Sequence, residues 1–179
     1  MDDGERMAEL ASSVIHTMCQ IPQLNHLPIE ELEEIPLGKL RRNATRTHGI
    51  CRYKSVKDDD GGVVRVARCI DLHPHILTDE WSRYAEFVLY HEFLHALGYM
   101  SHNKEFRNME ALWPDEESRD MGKAFGKSVR EINPPKWLLT CPQCGKEYAR
   151  YKKGNGRYRC RNCRVVLVDI RAEAVRPKA

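Results

Sequence analysis

Four cysteines near the C-terminal end constrain this chain more than any other feature. They fall as Cys141-Pro-Gln-Cys144 and Cys160-Arg-Asn-Cys163, two CxxC pairs separated by fifteen residues. A CxxC pair on one tight turn points two sulfurs the same way, and two such pairs at this interval suit a closed tetrahedral site. The segment between them, EYARYKKGNGRYR, reads as two short strands around the turn Gly154-Asn155-Gly156. The pattern predicts a zinc ribbon over residues 140–170, with a structural zinc ion on Cys141, Cys144, Cys160 and Cys163. Cys19, Cys51 and Cys69 are scattered, and a total of seven is odd, which argues against a disulfide framework. They read as small buried hydrophobes.

A second cluster lies in VLYHEFLHALGYMSHNKEF, residues Val88 to Phe106. His91 and His95 are four apart, so on a helix they share one face and can aim ring nitrogens at one metal ion. Glu92, between them in the HExxH pattern, is turned about a third of a turn away. From there it reaches a water on the metal without being a ligand, and zinc lowers the pKa of such a water from about 15.7 toward 7. Gly98 stops the helix and lets the chain reverse, and His102 follows seven residues after His95. His102 closes a three-ligand site better than the acidic rivals Glu105, Glu110, Glu116 and Glu117. The residues therefore predict a catalytic zinc on His91, His95 and His102, with Glu92 as general base for peptide hydrolysis. For the oxyanion that forms in such a reaction, His73, His75, Tyr90 and Tyr99 are candidates among which the sequence does not choose.

The rest of the chain supplies a mixed α+β scaffold. Met7, Leu10, Val14 and Met18 mark an amphipathic helix over Glu5 to Gln20. The proline-broken PQLNHLPIEELEEIPLGKL leaves room for only a short helix. Two strands are predicted around the turn DDDGG, the first reached through LRRNATRTHGICRYK and the second in VVRVARCIDLHPHIL. Pro74 puts the end of the second strand at a sheet edge or just beyond it. Thr78 is a plausible N-cap for a helix to Leu97, and helices follow from Asn103 to Leu112 and from Asp115 to Glu131. The domains predicted are 1–131, a linker at 132–139, the ribbon at 140–170 and a basic tail at 171–179.

Charge is divided unevenly. From Gly126 onward there are fourteen Lys and Arg against four Asp and Glu, whereas residues 1–125 hold fifteen against twenty-two. Basic residues of the ribbon are interleaved with Tyr148, Tyr151 and Tyr158, a mixture suited to phosphate contact with base stacking. No stretch approaches eighteen apolar residues, and MDDGERMAEL lacks the basic start and apolar run of a signal peptide. The chain reads as cytoplasmic, with no membrane partner.

Together these residues resemble the SprT-like metallopeptidases, a family that includes proteases degrading proteins crosslinked to DNA. The resemblance runs from about Gly49 to Val168. It covers Gly49, Cys51 and Tyr53, then Ile70 and Leu72, then HEFLHAL, then His102 with Phe106 four residues later, and last the ribbon. It implies a compact zincin-type domain with a small sheet and an active-site helix. It also implies that the strand near Ile70 to Leu77 is the edge along which an extended peptide substrate adds. The short interval from His95 to His102 departs from the longer insertions of some relatives. The reading that follows is a zinc-dependent endopeptidase acting on DNA-associated or DNA-crosslinked proteins. The alternative is a nucleic-acid-binding adaptor whose HExxH scaffold has little activity.

Overall fold

The computed structural model describes residues 2–172. Of the expected basic tail, Arg171 and Ala172 fall within them and the remainder lies outside the described residues. The chain divides into two compact units that meet between Val129 and Arg130.

The first unit opens with helix α1, Asp3–Cys19, whose start is fixed by a capping box. The Asp2 carboxylate accepts from the Gly4 and Glu5 N–H groups, and the Glu5 carboxylate accepts from the Asp2 N–H. Its buried face is Val14, Ile15 and Met18. Two 3-10 turns follow, Pro22–Leu24 and Ile29–Glu34. Next comes a three-residue strand, β1, Leu37–Lys39, which the sequence reading missed.

Strands β2, Gly49–Lys57, and β3, Val63–Leu72, form the expected antiparallel hairpin, with one register shift between Arg52 and Tyr53. β1 then pairs in parallel with Ile70–Leu72, so the sheet order is β1-β3-β2. This corrects the expected edge. The end of β3 is the middle of the sheet, covered by Leu37–Lys39, and Pro74–Leu77 is a 3-10 turn rather than strand. Pro74 does lie just past the strand, as its missing N–H requires. The two edge strands are β1 and β2.

Helix α2, Ser82–Ala96, is the spine of this unit, with Leu89, Tyr90, Phe93 and Leu94 wholly buried. It is preceded by a 3-10 turn at Asp79–Trp81, and Thr78 does not cap it: the Thr78 hydroxyl donates to the His75 carbonyl. Gly98, at φ +101°, ends it as expected. The Tyr99 N–H bonds the Leu94 carbonyl and the Gly98 N–H bonds the His95 carbonyl, a Schellman motif. Helix α3, Lys104–Glu110, is capped by Asn103. The single helix expected after Pro114 is two, α4, Glu116–Asp120, and α5, Gly122–Ile132. At the break Gly122 lies so close to Tyr84 that a Cβ there would sit 2.9 Å from the Tyr84 hydroxyl.

The second unit contains a three-stranded antiparallel sheet, β5-β4-β6, made from β4, Trp137–Thr140, β5, Glu147–Arg150, and β6, Val168–Arg171. The expected linker at 132–139 is thus partly structural, because Trp137–Leu139 belong to the central strand. Of the two strands expected around Gly154-Asn155-Gly156, the second is reduced to a single bridge, Arg159 to Val166. The turn is held instead by Asp169, whose carboxylate accepts from the Gly154 and Asn155 N–H groups at 2.8 Å each.

Two predictions follow from this packing. Gly49 meets α2 so closely that a Cβ would lie 2.7 Å from Val88 Cγ1. Gly49→Ala should therefore cost about 1–3 kcal/mol of stability, read as a lower denaturant midpoint. His73 is buried, its Nε2–H donating to the Arg42 carbonyl and its Nδ1 accepting from the His75 N–H. Burial, ahead of the pull of His75, holds this imidazole below its ordinary value. Stability from His73 should be full above the ordinary value of about 6.5 and fall as the pH drops toward the folded one. In the metal-loaded chain, His73→Asn should flatten the decline in melting temperature between about pH 7 and pH 5.

Candidate metal centres

Tyr53, Cys51 and Gly49 alternate along β2, so all three face α2. Gly49 permits close approach, the Cys51 N–H donates to Glu92 Oε2 at 2.7 Å, and the Tyr53 hydroxyl donates to the His95 carbonyl at 3.0 Å. Strand and helix are thereby joined at the carboxylate and at a histidine of the HExxH pattern. Glu92 is 6% exposed. Burial pushes its carboxyl above the ordinary value, against the opposing effects of His91 and the Cys51 N–H. A carboxylate moved that way is a stronger base near neutral pH.

His91, His95 and His102 come together. The His102 Nε2 lies 3.0 Å from that of His91 and 3.1 Å from that of His95. Phe106, wholly buried, touches all three rings with centroid distances of 4.7–4.9 Å. Phe106 is thus the floor on which the imidazoles rest, which accounts for a phenylalanine one helical turn beyond His102.

The outer nitrogens are held. His95 Nδ1 lies 2.7 Å from the Tyr99 carbonyl, which only accepts, so Nδ1 carries the proton and Nε2 presents a lone pair. His91 Nδ1 lies 2.6 Å from Glu110 Oε1, and Arg107 bonds the other Glu110 oxygen at 2.8 Å. Burial pushes the Glu110 carboxyl up, but the bonds to His91 and Arg107 outweigh it and the net direction is down. Burial also holds His95 and His102 below the ordinary histidine value, hence neutral. Three imidazole nitrogens brought this close to one another form a donor set that a cation would satisfy. Zinc–nitrogen bonds of 2.0–2.1 Å in a tetrahedral arrangement put neighbouring nitrogens about 3.3 Å apart, close to the spacing here. The donor set fits zinc. Glu110, weighed above as a rival ligand, holds the far side of a ligand ring instead, a role no spacing rule announces.

The triad opens on a cleft of about 500 Å³ between β2 and α2. None of the four oxyanion candidates lines it. His73 has both nitrogens engaged, His75 Nε2 bonds Ser128, the Tyr90 hydroxyl donates to the Met109 carbonyl, and Tyr99 lines a separate hollow. His48 and Tyr84, which the sequence reading did not single out, do line the cleft, with His48 Nδ1 2.7 Å from the Tyr84 hydroxyl.

In the second unit, Cys141, Cys144, Cys160 and Cys163 place their sulfurs within 4.8 Å of one another and could hold a metal ion. The Cys144 and Cys160 sulfurs are 3.7 Å apart, against about 3.8 Å for a tetrahedral site with 2.3 Å zinc–sulfur bonds. The two knuckles match. Gly145 N–H bonds the Cys141 carbonyl and Arg164 N–H bonds the Cys160 carbonyl, and both residues have positive φ, +68° and +61°. The Cys163 N–H, foremost among several donors, draws the Cys160 thiol down to about 6, the ligating thiolate form. Of the ribbon tyrosines, Tyr158 is exposed, whereas the hydroxyls of Tyr148 and Tyr151 are engaged by Cys160 and by the Asn133 carbonyl. Trp137 is half-buried, with Lys153 and Arg171 over its ring at 4.7 and 5.4 Å.

Among the described residues, no helix is long and apolar enough to cross a membrane. Comparison of the chain with protein-family models, with curated proteins and with solved structures returns no match.

Elemental analysis of the purified chain should give two zinc ions per molecule, one lost in His102→Ala and the other in Cys144→Ser. Glu110→Gln should weaken zinc affinity at the histidines by about 10- to 100-fold, measured by competition with a chelator, because it removes the carboxylate behind His91.

Proposed function

We propose that the protein is a zinc-dependent endopeptidase of the SprT-like type, with a zincin-type first unit and a structural zinc in the ribbon. The observation that carries the reading is the convergence of three imidazoles, those of His91 and His95 from α2 and that of His102 from the segment after it, with the buried carboxylate of Glu92 at one open cleft. His91, His95 and His102 would hold the catalytic ion. When bound, zinc supplies Lewis-acid polarisation of a carbonyl and lowers the pKa of water.

This chain's own residues account for the rest. The Cys51 N–H fixes one Glu92 oxygen, and the carboxylate, raised by burial, takes a proton from the attacking water and later passes it to the leaving amine. Glu110 and the Tyr99 carbonyl hold the His91 and His95 rings in the tautomer that ligates. The outer edge of β2 beside the cleft is where an extended substrate would add, in place of the β3 edge expected from the sequence.

The substrates proposed are proteins bound or crosslinked to DNA, supported by the excess of basic residues in the ribbon and by Trp137 between Lys153 and Arg171. The same observation favours the second reading, a nucleic-acid-binding adaptor in which the histidine site is a scaffold.

Glu92→Gln separates them. The variant should keep both zinc ions and lose cleavage of a basic DNA-binding protein by at least about 100-fold. Equal cleavage by variant and parent would remove Glu92 from the chemistry. Salt-sensitive DNA binding with no cleavage by the parent would favour the adaptor.

A further inference from the structure

Strand β3 has different neighbours at its two ends. Ile70–Leu72 lie between β1 and β2, whereas Val63–Ala67 pair only with β2. Among the described residues nothing else makes a backbone hydrogen bond to Val63–Ala67, so this stretch presents an open strand edge on the side away from β2. None of it lines the cleft. Proteins blunt such edges with proline, charge or cover. Here the only charge is Arg65, and Val63, Val64 and Val66 are exposed by 70%, 40% and 36%. Side chains alternate across a sheet, so Val64 and Val66 share one face with Val56 and Lys54, their partners on β2, while Arg65 stands on the other face opposite Ser55. Lys54, Arg65 and Arg68 are exposed, and none is in an ion pair among the described residues. The acids of this hairpin, Asp58, Asp59 and Asp60, are confined to its turn, where Asp58 accepts from the Gly62 N–H.

We propose that Val63–Ala67 is a docking edge for an extended acidic segment of a partner protein, in which aliphatic and acidic residues alternate. The main chain of such a segment adds to the open edge as a further strand. Its aliphatic side chains fall beside Val64 and Val66, and the acidic one between them falls beside Arg65, in the field of Lys54 and Arg68 as well. Opposite charges side by side on neighbouring strands attract and like charges repel, so the edge discriminates between acidic and basic segments. Two other occupants fit less well. A second copy of this stretch supplies valines but no carboxylate for Arg65. A nucleic acid would use the cations and leave the valines and the backbone edge unused, and 63–68 holds no aromatic ring for a base to stack on. The edge is distinct from the outer edge of β2 and from the ribbon, so the inference stands apart from the peptidase reading.

Titration of the isotope-labelled, zinc-loaded chain with the peptide Ac-Glu-Val-Glu-Val-Glu-NH2, followed through its amide resonances, tests this. Shifts should be confined to Val63–Arg68 and the facing residues Tyr53–Lys57, and the amides of Val63–Ala67 that point to the open edge should exchange more slowly with solvent. Ac-Lys-Val-Lys-Val-Lys-NH2 should bind at least about tenfold more weakly, and Arg65→Glu should reverse the order of the two peptides. Equal binding of the two peptides by the parent, or no binding of either, would overturn the proposal, and that comparison stands even if Arg65→Glu fails to fold. Shifts at the histidines and Glu92 alone would overturn it as well, as would movement of the Val63–Arg68 amides by single-stranded oligothymidylate and not by the acidic peptide. A dimer of the free chain with these same amides protected would assign the edge to self-pairing and overturn it too.

Discussion

The hydrogen bond from the Cys51 N–H to Glu92 is the joint on which the first unit turns. A buried carboxylate without a partner is costly, and this one is satisfied by the edge of a strand. For the bond to form, β2 must lie directly against α2, which requires a glycine at position 49. The same approach lets Tyr53 reach the His95 carbonyl. Strand, helix and candidate site are therefore one construction: moving β2 outward would free Glu92, open the cleft and release the turn that bears His95.

Around that joint the histidines are positioned from behind. Phe106 supports all three rings, Glu110 and the Tyr99 carbonyl hold the outer nitrogens of two, and Arg107 anchors Glu110 in turn. α3 supplies Phe106, Arg107 and Glu110 within five residues, and it is kept against α2 by Tyr90, which donates to the Met109 carbonyl and stacks near Trp113. The ribbon solves the same problem by another route. Its sulfurs are brought together by two matching knuckles of backbone hydrogen bonds, over a small apolar cluster in which Leu139 and Leu167 are buried and Trp137, Tyr148 and Val165 are partly buried. A small unit with so few buried side chains depends on the cross-link that its cysteines could provide through a metal.

What the sequence revealed is what local geometry determines. His91 and His95 are one helical turn apart whatever surrounds them, and the CxxC pairs make knuckles by themselves. Gly98 acts within a few residues of its position, so the end of α2 was legible, and apolar spacing marked α1, although its Asp2 cap and true start at Asp3 went unread. The misses arise from contacts distant in sequence. β1 has three residues and exists because Ile70–Leu72 pair with it, so no pattern in LGK marks it, and the sheet edge was misplaced as a result. His73 is buried because α5 brings Phe125 against it, 5.7 Å between ring centres. The break between α4 and α5 follows from the crowding of Gly122 against Tyr84. Glu110 was visible as an acid near the histidines, but only the fold turns it to the outer nitrogen of His91. Tyr148 and Tyr151 are half-buried, and their hydroxyls are bound within the ribbon by contacts that the spacing alone does not announce.

The claim on which the functional account rests is that the three imidazole nitrogens surround a metal ion. Anomalous diffraction from crystals of the zinc-loaded protein, recorded on both sides of the zinc absorption edge, tests it most directly. The account predicts two peaks, one among the four cysteine sulfurs and one about 2.0–2.1 Å from the Nε2 atoms of His91, His95 and His102. A peak among the cysteines with none at the histidines would contradict it.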